Sequence, residues 1–232
     1  MSRIPILICL ALVLSGSSSA RTGVSYLGSP ARFRVNWQKA FGWARRSGLK
    51  VGGVLGNHDY ELGRGAYELN TLGMPGRYYT RTLGDVQLFF LDSNAITTRQ
   101  TRWLEQQLSV STATWKIVLF HHPPYTCGGH AGDTDVLRGW VPLFEAYGVQ
   151  LVLSGHDRDY QRFAPRNRVA YVGHGGGAAG LYRLHGCPSS YPPWVRRFSD
   201  HGFLSVSATD DRLDVSAVNM HGRIADHFAL TP

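Results

Sequence analysis

The run K-I-V-L-F-H-H-P-P-Y, residues 116–125, decides how this chain folds. Ile117, Val118, Leu119 and Phe120 are consecutive and apolar, the pattern of a strand buried on both faces in an α/β layered domain. The run stops at two imidazoles and two prolines. Pro123 and Pro124 have no N–H to add to a ladder, so the chain must leave the sheet there. His121 and His122 are then held at the carboxyl edge, where open α/β sheets place their ligands.

Two other runs repeat this arrangement. Residues 51–55 are apolar and end in Gly56-Asn57-His58-Asp59-Tyr60, and residues 151–154 end in Gly155-His156-Asp157-Arg158. One histidine at a strand end is usually an ordinary hydrogen-bonded loop residue. Three strands delivering imidazoles to one rim are a constellation. Between them, residues 77–82 and 86–91 read as strands. Residues 98–109 read as a helix with Trp103, Leu104 and Leu108 facing inward, and residues 137–147 as a second helix. From Val169 onward only strands are predicted, at 169–172, 202–208, 212–218 and 227–230. Turn residues at Asp210-Asp211 and His221-Gly222 imply an antiparallel second sheet.

A chain of 232 residues with ordinary apolar content supports one domain, expected over residues 21–232. Residues 1–20 have the form of a secretory signal: Arg3, an apolar run from Ile4 to Leu14, then Ser18-Ser19-Ala20. A secreted or periplasmic protein is expected on that reading. If residues 6–14 are instead a buried first strand, the location is cytoplasmic. The apolar run is too short for a membrane span. The net charge of +8 lies entirely in residues 1–58, which hold eight cations and no Asp or Glu. Trp37, Phe41 and Ala44 share one helical face and most of the nearby cations lie off it. This is the pattern of a solvated amphipathic helix, so no specific nucleic-acid partner is expected. Behind Cys9, the remaining cysteines are Cys127 and Cys187. They form a disulfide if their geometry and compartment allow it; otherwise Cys127 is a thiolate candidate near the site.

Read in order, G-N-H-D at 56–59, L-D-S at 91–93, W-L-E-x-x-L at 103–108, H-H-P-P-Y at 121–125 and G-H-D at 155–157 resemble the calcineurin-like metallophosphoesterases, on the side nearest purple acid phosphatases. The resemblance runs from about Trp37 to the C-terminus. It implies an α/β fold, an α+β sandwich of two packed mixed β-sheets flanked by helices. It also implies hydrolysis of a phosphorylated small molecule or other phosphoester on a divalent zinc, iron or manganese ion. By the same resemblance Asn57, His121 and His156 are metal ligands, His121 being preferred to His122 because the family's ligand stands two residues before the proline. His58 is then the acid facing substrate and Asp59 fixes its tautomer, with His130 a looser match to a second substrate-facing histidine.

The departures matter equally. The family brings an aspartate on its first strand, a G-D turn whose aspartate bridges two metals and a tyrosine ligand, all before G-N-H-D. Here nothing acidic precedes Asp59; Tyr26 aligns with the tyrosine, and Gly23 or Ser17 stands in the bridging position. Arg158 replaces the second histidine of G-H-x-H. The expectation is one ion per chain instead of two and a domain lacking its first strands. Three accounts follow: a truncated phosphoesterase, an inactive protein that binds phosphate ligands, or a one-metal enzyme in which Arg158 neutralises phosphate. Arg158 could instead turn outward to pair with Asp157 or Asp159. A Ser-His-Asp hydrolase is disfavoured because no G-x-S-x-G elbow exists.

Overall fold

The computed structural model describes residues 4–8, 38, 42–44, 46–60, 65–177 and 180–232, with residues 4–8 as backbone. Strands run in the order β1 Ile4–Ile8, β2 Tyr79–Leu83, β3 Val86–Phe90, β4 Trp115–Phe120, β5 Leu151–Ser154, β6 Tyr160–Phe163, β7 Ala170–His174, β8 Trp194–Phe198, β9 Gly202–Ala208, β10 Leu213–Asn219 and β11 Ile224–Leu230. The helices are α1 Ala66–Leu72, α2 Thr98–Ser109, α3 Thr134–Gly139 and α4 Val141–Ala146, and Asn57–Tyr60 forms one 3₁₀ turn.

Seven strands form a mixed sheet in the order β2-β3-β4-β5-β7-β6-β8. Its centre, β3-β4-β5-β7, is parallel. A second sheet, β1-β9-β10-β11, is antiparallel throughout. The pleat of β4 shows why this makes a sandwich. Ile117 and Leu119 face the four-stranded sheet, packing in one cluster with Leu204, Val206, Leu213 and Val215. Val118 and Phe120 point the other way, against Leu104 and Leu108 of α2 and Val136, Trp140 and Phe144 of the helices beyond. The apolar run from Ile117 to Phe120 is what a sheet covered on both faces requires. The sheets are also tied at their margins. Trp115 Nε1 donates to Thr209 O at 2.6 Å. Asp226 of β11 accepts from Arg162 Nε and Tyr160 Oη of β6, each at 2.7 Å.

Several expectations need correction. Residues 51–55 are in no ladder with the described residues. Among the described residues their polar groups bond to side chains instead: Gly53 N and O to Tyr79 Oη, Val51 O to Arg81 and Leu55 O to Asn94 Nδ2. The single helix expected over 137–147 is two. Pro142 lacks the N–H that would bond back one turn, and the chain bends at the fully buried Trp140. Strands β6 and β8 were unforeseen, and β7, expected in the second sheet, pairs in parallel with β5. Strand β1 covers five residues of the leader-like stretch and pairs with β9. The rest of that stretch, Ser17, Gly23, Tyr26, Trp37 and Phe41 lie outside the described residues. No described helix is long and apolar enough to cross a membrane.

Candidate metal centre

The parallel ladder carries the site residues to one edge. Leu91 N bonds Leu119 O at 2.9 Å and Gly155 N bonds His121 O at 3.0 Å, so pairing continues one step past the strands. Asp92-Ser93, His121-His122 and His156 therefore leave the sheet side by side. His156 then turns at once: its φ is 65° and Asp157 N bonds Gly155 O at 2.7 Å. A non-glycine residue in this left-handed region costs on the order of 1–3 kcal/mol and is characteristic of functional loops. The 3₁₀ turn at Asn57–Tyr60 closes from the other side. Gly56 makes that approach feasible, since a Cβ there would lie 2.8 Å from His121 Cε1.

Three donor atoms converge. His121 Nε2 lies 2.8 Å from Asn57 Oδ1 and 3.0 Å from His156 Nδ1. Donors about 2.0–2.1 Å from a tetrahedral zinc ion are roughly 3.3 Å apart, so this spacing fits a shared ion. Among the described residues, His121, His122 and His156 are the one group of three His, Cys, Asp or Glu side chains whose ligand atoms lie within 4.8 Å of each other. Burial holds the His121 pKa well below its ordinary value, and the His122, His156, His58 and His130 rings depress it further. The same causes, burial first, bring His156 down to about 3, with Arg158 contributing. His122 is also lowered, by burial. All three imidazoles are thus neutral near pH 7, the state that ligates metal.

The remaining predicted residues are gathered around this cluster. His58 is close enough to His121 and His156 for its charge to depress both. Asp59 is buried, and its Oδ2 accepts the Gly56 N–H at 2.7 Å, which locks the 3₁₀ turn. The His130 ring overlies that of His156 at 3.9 Å. Its Nδ1 is 2.7 Å from Asp157 Oδ1. Arg158 is half-buried, with its guanidinium 4.8 Å above the Tyr182 ring, and that ring also flanks His130. Cys127 and Cys187 are joined in a disulfide, which replaces the thiolate alternative and ties the His130 loop to the Tyr182 loop. Gly175 makes a close backbone approach: a Cβ there would fall 2.2 Å from Asp157 O.

Sequence reasoning passed over four residues of this site. His122 Nδ1 meets Ser93 Oγ at 2.9 Å, and Ser93 comes from the L-D-S stretch. Asp157 orients His130, and Thr126 donates to Asp157. The H-H doublet, L-D-S and the aspartate of G-H-D were visible signals; the pairing of Asp157 with Thr126, 31 positions away, was not.

The sequence profile described as Calcineurin-like phosphoesterase matches residues 26–160, more than half the chain. The chain belongs to that family. Purple acid phosphatase 7 of Arabidopsis thaliana is 23% identical over 208 residues, covering 77% of this chain and 63% of that protein. The chain spans 57–63% of the length of three such plant relatives. Two solved structures share the fold. GAP50 of Plasmodium, described as the anchor in the inner membrane complex, superposes with a TM-score of 0.71 at 21% identity, over 88% of this chain and 73% of that one. Purple acid phosphatase PPD1 of yellow lupin (Lupinus luteus) gives a TM-score of 0.65 at 19% identity, over 76% and 37%. The two-sheet architecture is therefore that of the metallophosphoesterases, a family that uses divalent metals, and the Asn57, His121 and His156 donors fit such an ion.

Proposed function

We propose that this chain is a metal-dependent phosphoric ester hydrolase of purple acid phosphatase type, acting with one divalent ion held by Asn57, His121 and His156. The observation that carries the reading is the convergence of those three donors, with Asn57 Oδ1 and His156 Nδ1 at 2.8 and 3.0 Å from His121 Nε2. A zinc, iron or manganese ion there supplies Lewis acidity toward the phosphoryl oxygens. His58 and His130 flank the cluster and are the groups able to give a proton to the leaving alkoxide, His130 being held by Asp157. Arg158 offers a forked donor to a phosphate, and its stacking on Tyr182 keeps that charge at the rim. A phosphorylated small molecule or other phosphoester is the substrate. The Cys127–Cys187 disulfide suits an oxidising compartment, which supports a secreted or periplasmic location.

A second reading is a phosphate-ligand binding protein without turnover. It is favoured by the likeness to a protein described as an anchor, since one fold serves many roles. His58→Ala separates the two. As an enzyme, the metal-loaded chain loses about 100-fold or more of its nitrophenyl phosphate turnover in this variant. Hydrolysis identical in wild type and variant refutes the enzyme reading and leaves the binding one.

A further inference from the structure

We infer that His122 is a third imidazole ligand, so that this chain holds its ion with four neutral donors: Asn57 Oδ1, His121 Nε2, His156 Nδ1 and His122 Nε2. The inference rests on the metal-dependent reading above and assigns a residue that proline spacing alone had set aside. Its basis is geometric. The His121 and His122 ring centroids are 4.7 Å apart, those of His122 and His156 4.7 Å and those of His121 and His156 4.8 Å. The three rings therefore form a nearly equilateral triangle, with interplanar angles of 63–89° that let their edges face a common point. A ring merely packed beside a two-histidine site has no reason to complete that triangle.

The second observation is how His122 is held. Ser93 Oγ accepts the His122 backbone N–H at 2.9 Å and meets Nδ1 at 2.9 Å. A serine oxygen has two acceptor lone pairs, so it can take both N–H groups. With Ser93 as acceptor of both, the ring proton is on Nδ1 and the lone pair on Nε2, the tautomer of a metal-ligating histidine; Ser93 Oγ donating to Nδ1 would put the proton on Nε2 and exclude ligation. Ser93 is itself buried at the end of β3, and Gln100 of α2 bonds both N and O of the adjoining Asp92, at 2.8 and 3.0 Å. The support is thus rigid. A donor set with no carboxylate leaves the full charge of the ion uncompensated, which favours anion binding. Imidazole-rich donors also select a borderline ion such as zinc or cobalt over magnesium or calcium.

The test uses the full chain, stripped with a chelator and titrated with cobalt(II) alone, in wild type, His122→Phe, Ser93→Ala and His121→Ala. His122→Phe should weaken cobalt binding more than 100-fold, beyond the roughly 10–100-fold of an outer-shell residue. It should also abolish the intense visible absorption of low-coordinate cobalt. Ser93→Ala should fall within the outer-shell range. A measurement on wild type alone avoids any folding defect: cadmium-113 bound to nitrogen-15-labelled protein should couple to three imidazole nitrogens, one of them from His122. If His122→Phe binds cobalt as wild type does while His121→Ala does not, or if only two imidazoles couple, His122 is no ligand and the phosphoesterase reading stands. If wild type binds no cobalt, both fall.

Discussion

Asp157 Oδ1 and His130 Nδ1 share a 2.7 Å hydrogen bond across 27 residues of sequence. The same oxygen accepts the His130 backbone N–H at 3.0 Å, and Thr126 donates its hydroxyl to the other carboxylate oxygen. One buried carboxylate thus fixes ring and loop together and leaves Nε2 of His130 as the nitrogen able to reach substrate. Asp157→Asn should therefore reduce kcat/KM for nitrophenyl phosphate by roughly 10–100-fold. His130→Ala should cost at least as much. Because the two act as a unit, the double variant should be little worse than His130→Ala alone, and fully multiplicative losses would show that they act separately.

The Cys127–Cys187 bridge closes a span of 60 residues that includes β5, β6 and β7. In the chain-entropy account a loop of that length contributes about 4 kcal/mol. Replacing both cysteines by serine should lower the urea unfolding midpoint accordingly. It should also raise KM, since His130 and Tyr182 both lie inside the bridged span. A stability unchanged by reduction would contradict this.

Gly56→Ala tests the seat of His121. The added methyl carbon would meet the imidazole at 2.8–2.9 Å, so the ring must shift away from Asn57 and His156. Overpacking of this kind costs about 1–3 kcal/mol. Zinc affinity should fall more than tenfold while the circular dichroism spectrum stays unchanged. A zinc titration that superimposes on wild type would show that His121 tolerates displacement.

Much of this was legible in the chain because the relevant signals were local. Residues 117–120 of β4 and 151–153 of β5 are uninterrupted apolar runs, and α2 has Thr97 as a side-chain N-cap with Leu104 and Leu108 on its inner face. The histidines that follow those two runs, His121 and His156, were legible for the same reason, whereas His58 follows an extended segment that is in no described strand. What escaped depended on distant partners. Strand β6 reads Y-Q-R-F, too polar for a buried strand until Gln161 is seen to bond Cys127 N and Arg162 to pair with Asp226, 64 residues away. Residues 51–55 have the composition of a strand, yet composition cannot say whether a neighbouring strand lies alongside. The fourth ligand candidate, His122, depends on Ser93, 29 residues back.

Asp159 gives a pH signature. Burial, with Asp157 beside it, pushes its carboxyl from 3.8 up to about 7, against the lowering bond from Gln161. Its Oδ2 has no hydrogen-bond partner among the described residues. The folded carboxyl thus keeps its proton up to about pH 7, whereas the unfolded one releases it near 3.8, so this group lowers stability as pH rises between those values and adds no further loss above them. Asp159→Asn cannot ionise. It should leave the Tm unchanged at pH 3.5 and raise it at pH 8, by roughly 2–4 °C for each kcal/mol recovered. A Tm difference that is flat with pH would contradict the raised carboxyl.

The proposed site holds one ion between the donors at Asn57, His121 and His156. Titration of the chelator-stripped chain with zinc, followed by elemental analysis after dialysis, measures it most directly. Wild type should bind one zinc tightly per chain and His121→Ala none. Two zinc ions per chain, or one ion retained in His121→Ala, would contradict it.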